Sequence, residues 1–191
     1  MRAFFLAFTL ILSSGPPGGA WADRFEPQPG GWVLYVDDQG TELSVPADVF
    51  SPGVSEKTKS GRTFVAEDAK LEVIAKPNPN GWSAKSLKQE LLGRQEYRDV
   101  TYSPAGAGWL VISGFRDADT IFYEKFLFRG GMLHAFAIEF PAAAKPFYAP
   151  IIEHMEDTFR VSHRVTAKEG APASGSELEP APSEADPLVV Y

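Results

Sequence analysis

The sequence predicts an α+β domain, an antiparallel twisted sheet of about six to eight strands flanked by two helices. Three observations carry that expectation. Between residues 23 and 166, several stretches alternate apolar and polar side chains, the period of a half-buried strand. Their connections are short and rich in Gly, Asp, Asn and Pro, so sequential strands run antiparallel. Two other stretches repeat their apolar residues every three or four positions, as amphipathic helices do.

The chain opens differently. Arg2 precedes an apolar run, Ala3 to Leu12, interrupted only by Thr9, and Ser13 to Gly19 follows with two prolines and three glycines. Ala20-Trp21-Ala22 then offers small residues at the two positions a signal peptidase reads. The order is that of a cleavable secretory signal over residues 1–22, with cleavage near Ala22-Asp23. The run is too short to span a hydrocarbon core of about 30 Å. With no cysteine for a lipid anchor, the expected product is a periplasmic or secreted protein with no integral membrane segment. It must also fold without disulfides.

Trp32-Val33-Leu34-Tyr35-Val36 reads as a first strand and Asp37 to Gly40 as a turn. Thr41 to Val45 returns as the second arm of a hairpin and Pro46 ends it. Arg62–Ala66 and Lys70–Lys76, joined by Glu67-Asp68-Ala69, read as a second hairpin. After the break at Pro77 to Gly81 a helix is expected from Ala84 to Gly93. Ser83 would cap it, Trp82 and Leu87 would form a hydrophobic staple, and Gly93 would stop it. Leu87, Leu91 and Leu92 are expected on its apolar edge. Four strands should follow, at Arg98–Ser103, Gly108–Phe115, Thr120–Phe128 and Met132–Phe140. A closing helix over Pro146–Phe159 should bury Phe147, Ile151, Ile152, Met155 and Phe159, with its regular part beginning at Pro150. Trp32 and Trp109 are expected in the core.

Residues 167–191 are mostly Ala, Pro, Ser, Gly and acid, with few large apolar residues until Leu188-Val189-Val190-Tyr191. Such a composition cannot offset its own ordering entropy, so a disordered tail is expected. The formal net charge of −7 becomes −8 once Arg2 is removed. That acidity argues against nucleic acid or anionic lipid as partners.

Trp32, Tyr35 and Gly40, then Val45-Pro46-Ala47-Asp48-Val49-Phe50, resemble the opening of a group of exported bacterial domains of unassigned function. Gly108 to Phe115, Phe122-Tyr123-Glu124-Lys125 and Glu139-Phe140-Pro141-Ala142 resemble its centre. Tyr148-Ala149-Pro150-Ile151 running to Thr158-Phe159 is similar to its closing helix. Such domains are similar in fold to the PsbP-like class. The resemblance implies an antiparallel sheet with flanking helices and an accessory or binding role on a larger assembly, here a protein partner in the cell envelope. The sequence carries no catalytic or cofactor signature, so a non-enzymatic role is expected; the alternative is an enzyme or small-ligand-binding protein that uses Glu124, Lys125, His134 and Glu139 in a polar cleft on the sheet.

Hydrolase signatures are missing: there is no GxSxG, and the chain has only three histidines, His134, His154 and His163. His154 with Asp157, near Glu153 and His163, offers too few converging ligands for a catalytic metal. The hairpin about Arg129-Gly130-Gly131 is the candidate polar site. It could bring Glu124 or Lys125 towards His134 or Glu139 on one face, either as a cross-strand ion pair or as a patch in a binding cleft. Trp82, beside its Pro-Asn loop, is a candidate for stacking on a glycan as well as for the staple. The β-prone end Leu188, Val189, Val190 and Tyr191 is a candidate for capture by strand addition in a partner's groove.

Overall fold

The computed structural model describes residues 23–162. The expected signal (1–22), the expected tail (167–191) with Leu188, Val189, Val190 and Tyr191, and His163 lie outside the described residues.

All strand pairings are antiparallel, and they form two sheets rather than one. The small sheet contains β1 (Arg24–Pro27), β2 (Trp32–Val36), β3 (Thr41–Pro46) and β11 (Arg160–Val161), in the order β1-β2-β3-β11. The large sheet contains β4 (Glu56–Thr58), β5 (Gly61–Val65), β6 (Lys70–Pro77), β7 (Asp99–Tyr102), β8 (Trp109–Phe115), β9 (Thr120–Arg129) and β10 (Met132–Pro141). Its order is β4-β5-β6-β10-β9-β8-β7. The chain therefore leaves β6 at the centre and crosses one face as α1 (Ala84–Leu92). It reaches the far edge at β7, then meanders back until β10 closes on β6. The longest hairpin, β9 to β10, turns on Gly130-Gly131, with Arg129 opposite Met132. Their φ values of 60° and 74° are what a two-residue type I′ turn requires, and glycine supplies them without a Cβ clash.

Alternation along the central strands divides the core in two. One face buries Phe122, Phe126, Leu133 and Ala135 beneath Ala84, Leu87 and Leu91 of α1. The other buries Tyr123, Phe136, Ile138 and Phe140 beneath α2 (Lys145–Thr158) and the small sheet. There Tyr35 meets Phe64 edge-on at 5.5 Å and Phe136 meets Phe159 edge-on at 5.1 Å. The first hairpin thus covers the large sheet instead of extending it. That leaves β4 and β7 as the large sheet's edges.

Both helices keep their expected positions and differ in detail. Ser83 caps α1 through a capping box with Ser86. Gly93 ends α1 at φ −80°, so the stop is not a left-handed glycine cap. Leu92 and Phe147 are exposed, at 42% and 55%, not buried. At about 100° per residue each lies roughly 100° from the centre of its helix's apolar stripe. In α2 that stripe is Tyr148, Ile151, Ile152 and Met155, continued by Phe159. Pro150 does not begin the helix; it lies inside it, in the second turn. Its missing N–H removes the i→i−4 hydrogen bond that would reach the carbonyl of Pro146.

Candidate functional site

The period-two pleat separates the four polar residues of the β9–β10 hairpin. Glu124 and Glu139 project to the α1 face, whereas Lys125 and His134 project to the α2 face. They do not form one site. Each pair is bound instead by residues from elsewhere in the chain.

On the α1 face, Arg116 gathers both glutamates. Its Nε donates to Glu139 Oε1 at 2.7 Å, one terminal nitrogen to Glu124, and the other to the Glu96 carbonyl at 3.1 Å. The Tyr97 hydroxyl donates to Glu124 Oε2 at 2.9 Å, and the guanidinium lies 3.9 Å from the Phe122 ring centre. Glu124 is buried, and burial holds its carboxyl above the usual carboxylate range, with Arg116 the largest opposing influence. Every nitrogen of the guanidinium is engaged. The network ties the β8–β9 turn to the segment after α1, and it is a closed cluster. Ile112 stands opposite Glu124 across β8 and β9, so Arg116, four residues beyond Ile112, falls on the same face. That spacing is the signal by which Arg116 was open to discovery.

His134 is buried, with Nδ1 2.8 Å from the Thr41 hydroxyl. Asp37 Oδ1 accepts from the backbone N–H groups of Thr41 and Gln39, each at 2.8 Å. The grouping of hydroxyl, imidazole and carboxylate evokes a triad but lacks its wiring. The acid binds the threonine amide and not the second imidazole nitrogen, and all three residues are buried. Burial pushes the imidazole below its ordinary value, which favours its neutral form.

Lys125 opens onto a cleft. Its Nζ pairs with Glu156 Oε1 at 3.1 Å, both side chains being about 18% exposed. The pair lies in a cleft of about 260 Å³, where the large sheet emerges from under the end of α2. Val111, Leu127 and Phe159 supply its apolar floor; Tyr102, Pro104 and Trp109 supply its wall. Contrary to the core position expected for it, Trp109 is 39% exposed, and Tyr102 is 40% exposed. The indole is nonetheless seated. A Cβ at Gly106 would come within 2.2 Å of Trp109 Nε1, and the Gly106 N–H donates to the Trp109 carbonyl at 2.9 Å. Only glycine lets the loop pack this closely on the ring. A broader, shallower depression of about 570 Å³ flanks β7, where Arg98 is already paired with Asp99.

The remaining candidates are accounted for locally. Trp82 is half-buried against the α1 cluster that contains Leu87, and its backbone N–H donates to Asn78 Oδ1 at 2.9 Å. His154 packs against Trp32 with ring centres 3.9 Å apart and the planes tilted by 36°, and Trp32 itself is half-buried. Among the described residues no three His, Cys, Asp or Glu side chains converge as a metal site would need. No helix among them is long and apolar enough to cross a membrane.

No protein-family model and no curated protein sequence matches the chain. Among solved structures it is similar to cyanobacterial PsbP (CyanoP) from Synechocystis sp., at 11% identity and a TM-score of 0.48, over 79% of this chain and 99% of that one. It is also similar to the Saccharomyces cerevisiae Ran-binding protein Mog1p, at 11% identity and a TM-score of 0.45, over 73% of this chain and 95% of that one.

Proposed function

We propose that this protein is an exported, non-enzymatic binding domain of the bacterial cell envelope. It acts through protein–protein contact at the cleft formed by Tyr102, Trp109 and the Lys125–Glu156 pair. The observation that carries the reading is the exposed Trp109, held in place by Gly106 over an apolar floor. Aromatic side chains fixed at a surface give large contact area at little entropic cost, the property of interface hot spots. The Lys125–Glu156 pair contributes polar atoms at the edge of the apolar floor, which favours an oriented partner over unspecific adhesion.

Export is supported by the charged, apolar and small-residue order of residues 1–22. Asp23, the expected first residue of the mature chain, is also an integral part of the fold. Its carboxylate is about 5% exposed and pairs with Arg62 at 2.9 Å and Lys57 at 3.2 Å.

Photocrosslinking tests the contact. A photoreactive residue in place of Ala107 should trap a partner in living cells, and Trp109→Ala should abolish that product without loss of the folded state. Crosslinks that survive Trp109→Ala, or turnover of a substrate by the purified protein, would refute the reading. Amino-terminal sequencing of the mature protein checks export. A chain starting at Asp23 is expected, and an uncleaved chain retained in the cytoplasm counts against it.

A further inference from the structure

The turn between β2 and β3 is a joint between the two sheets. Its Gly40 carbonyl accepts from the Ser162 N–H at 2.9 Å, which fastens the residue after β11. The next residue, Thr41, places its hydroxyl 2.8 Å from His134 Nδ1 and so ties β3 to β10 of the large sheet. Asp37 Oδ1 is occupied by the N–H groups of Gln39 and Thr41. Asp37 Oδ2 has no hydrogen-bond partner among the described residues, although the atom is buried and the whole residue is only 7% exposed. An open acceptor in the interior is uncommon and calls for a donor.

That donor is one proton away. A neutral imidazole can accept at Nδ1, whereas an imidazolium donates from both nitrogens. Once His134 is protonated, its Nδ1–H must donate to Thr41 Oγ1, and the hydroxyl proton has to turn elsewhere. The next acceptor along the hydrogen-bonded chain is Asp37 Oδ2, because Oδ1 of the same carboxylate already holds the Thr41 amide at 2.8 Å. The charges around the ring are few. Burial opposes the imidazolium, Asp37 of the turn favours it, and Arg129 at the end of β9 opposes it. The other ionisable groups of the flanking strands are matched: Lys125 of β9 pairs with Glu156 of α2, and Glu42 of β3 pairs with Arg160 of β11. On β6, Ala75 stands opposite His134.

We propose that Asp37, Thr41 and His134 form a bond-reversing clasp that keeps the two sheets joined in acid as well as at neutral pH. In the neutral form Thr41 donates to His134 Nδ1. In the acid form Nδ1 has bound a proton from solvent and donates to Thr41, while Thr41 donates to Asp37 Oδ2. Both patterns hold β3 against β10, and the second fills the open acceptor. The clasp shares no residue with the Tyr102–Trp109 cleft, so it stands or falls separately from the proposed function.

Heteronuclear NMR of the full-length protein with labelled histidine tests the clasp, His134→Asn identifying the signal among the three histidines. At neutral pH, Nδ1 of His134 should carry no proton. Its titration midpoint should fall by at least about one pH unit in Asp37→Asn, whose amide oxygen can still hold the turn but whose nitrogen cannot accept the Thr41 proton. The midpoint should fall by about half a pH unit in Thr41→Val, which keeps the Asp37 charge and removes the reversing hydroxyl. In Thr41→Ser it should stay in place. Below each protein's own midpoint, the Ser162 amide should exchange at least about tenfold faster in Asp37→Asn than in the wild type. A proton on Nδ1 at neutral pH, equal midpoints in Thr41→Val and Thr41→Ser, or equal Ser162 exchange in acid would overturn the proposal. Equal midpoints would mean that Asp37 acts on His134 through charge alone, and the two Thr41 variants decide the matter if Asp37→Asn does not fold.

Discussion

At the scale of single residues, the structure separates side chains that hold the fold from the few that face outward in a fixed pose. Gly106 matters most among the latter, because its lack of a Cβ is what fixes Trp109. Gly106→Ala should displace the indole and cut partner crosslinking as severely as Trp109→Ala, although Trp109 itself is retained. Tryptophan fluorescence and the crosslinking yield check this together. Glu124 illustrates the opposite case. Glu124→Ala leaves Tyr97 and part of the Arg116 guanidinium without their acceptor, so a loss of about 2–4 kcal/mol in denaturant stability is expected. Partner binding at the cleft on the other face should be unchanged.

His134 gives the fold a sign-specific pH response. Its imidazole is held below the ordinary value of 6.5 by burial, so the unfolded chain takes up the proton more readily than the folded one. The stabilising effect of the neutral, buried imidazole is complete above that ordinary value and is lost as pH falls below it. The slope contributed by this one group is at most about 1.4 kcal/mol per pH unit. Urea unfolding between neutral pH and mild acid should show the loss in the wild type, and His134→Asn should flatten the profile over the same range.

At the scale of elements, strand alternation and helix periodicity were legible in the sequence, and their phases were legible only in part. Trp32–Val36, the turn at Asp37–Gly40, the β5–β6 hairpin and the β8–β9–β10 meander stand where alternation and turn residues place them. Phe147 strays because an every-fourth reading drifts against a true period of about 3.6 residues, and Leu92 because it stands one residue, about 100° of turn, beyond Leu91. β1, β4 and β11 went unread since each is short, and their strand character comes from pairing with a neighbour rather than from their own composition. Pro150 is a local conflict that α2 tolerates because its packed stripe outweighs one missing hydrogen bond. The residue is exposed, so Pro150→Ala loses little burial and should stabilise the protein by about 1–2 kcal/mol, read as a higher Tm.

At the scale of the whole molecule, two apolar clusters share one large sheet, and the small sheet and α2 shield only part of its second face. The cleft exists because that cover stops short of β7 and β8. The clusters meet across the same strands, β9 and β10, so they cannot melt independently. Thermal unfolding of the mature protein should be a single transition, with the near-ultraviolet signal of the aromatic clusters and the far-ultraviolet backbone signal lost together. Two resolved transitions would show that the small sheet with α2 is a separate unit.

By itself, the sequence determined the class of the fold, the order of most elements and the absence of any disulfide, because periodicity, turn residues and cysteine content act locally along the chain. It also set the expectation of export, which rests on residues 1–22 alone. Only the tertiary structure decided that Glu124 and Glu139 share one face and Lys125 and His134 the other, since a face is defined by the pleat and the pairing register. It alone brought Arg116 and Tyr97 to Glu124, Thr41 to His134, and Glu156 to Lys125, contacts made across 8, 27, 93 and 31 residues of chain. And it moved Trp109 from an expected core position to the wall of a cleft. What a side chain faces depends on where distant cover ends, and no local pattern carries that information.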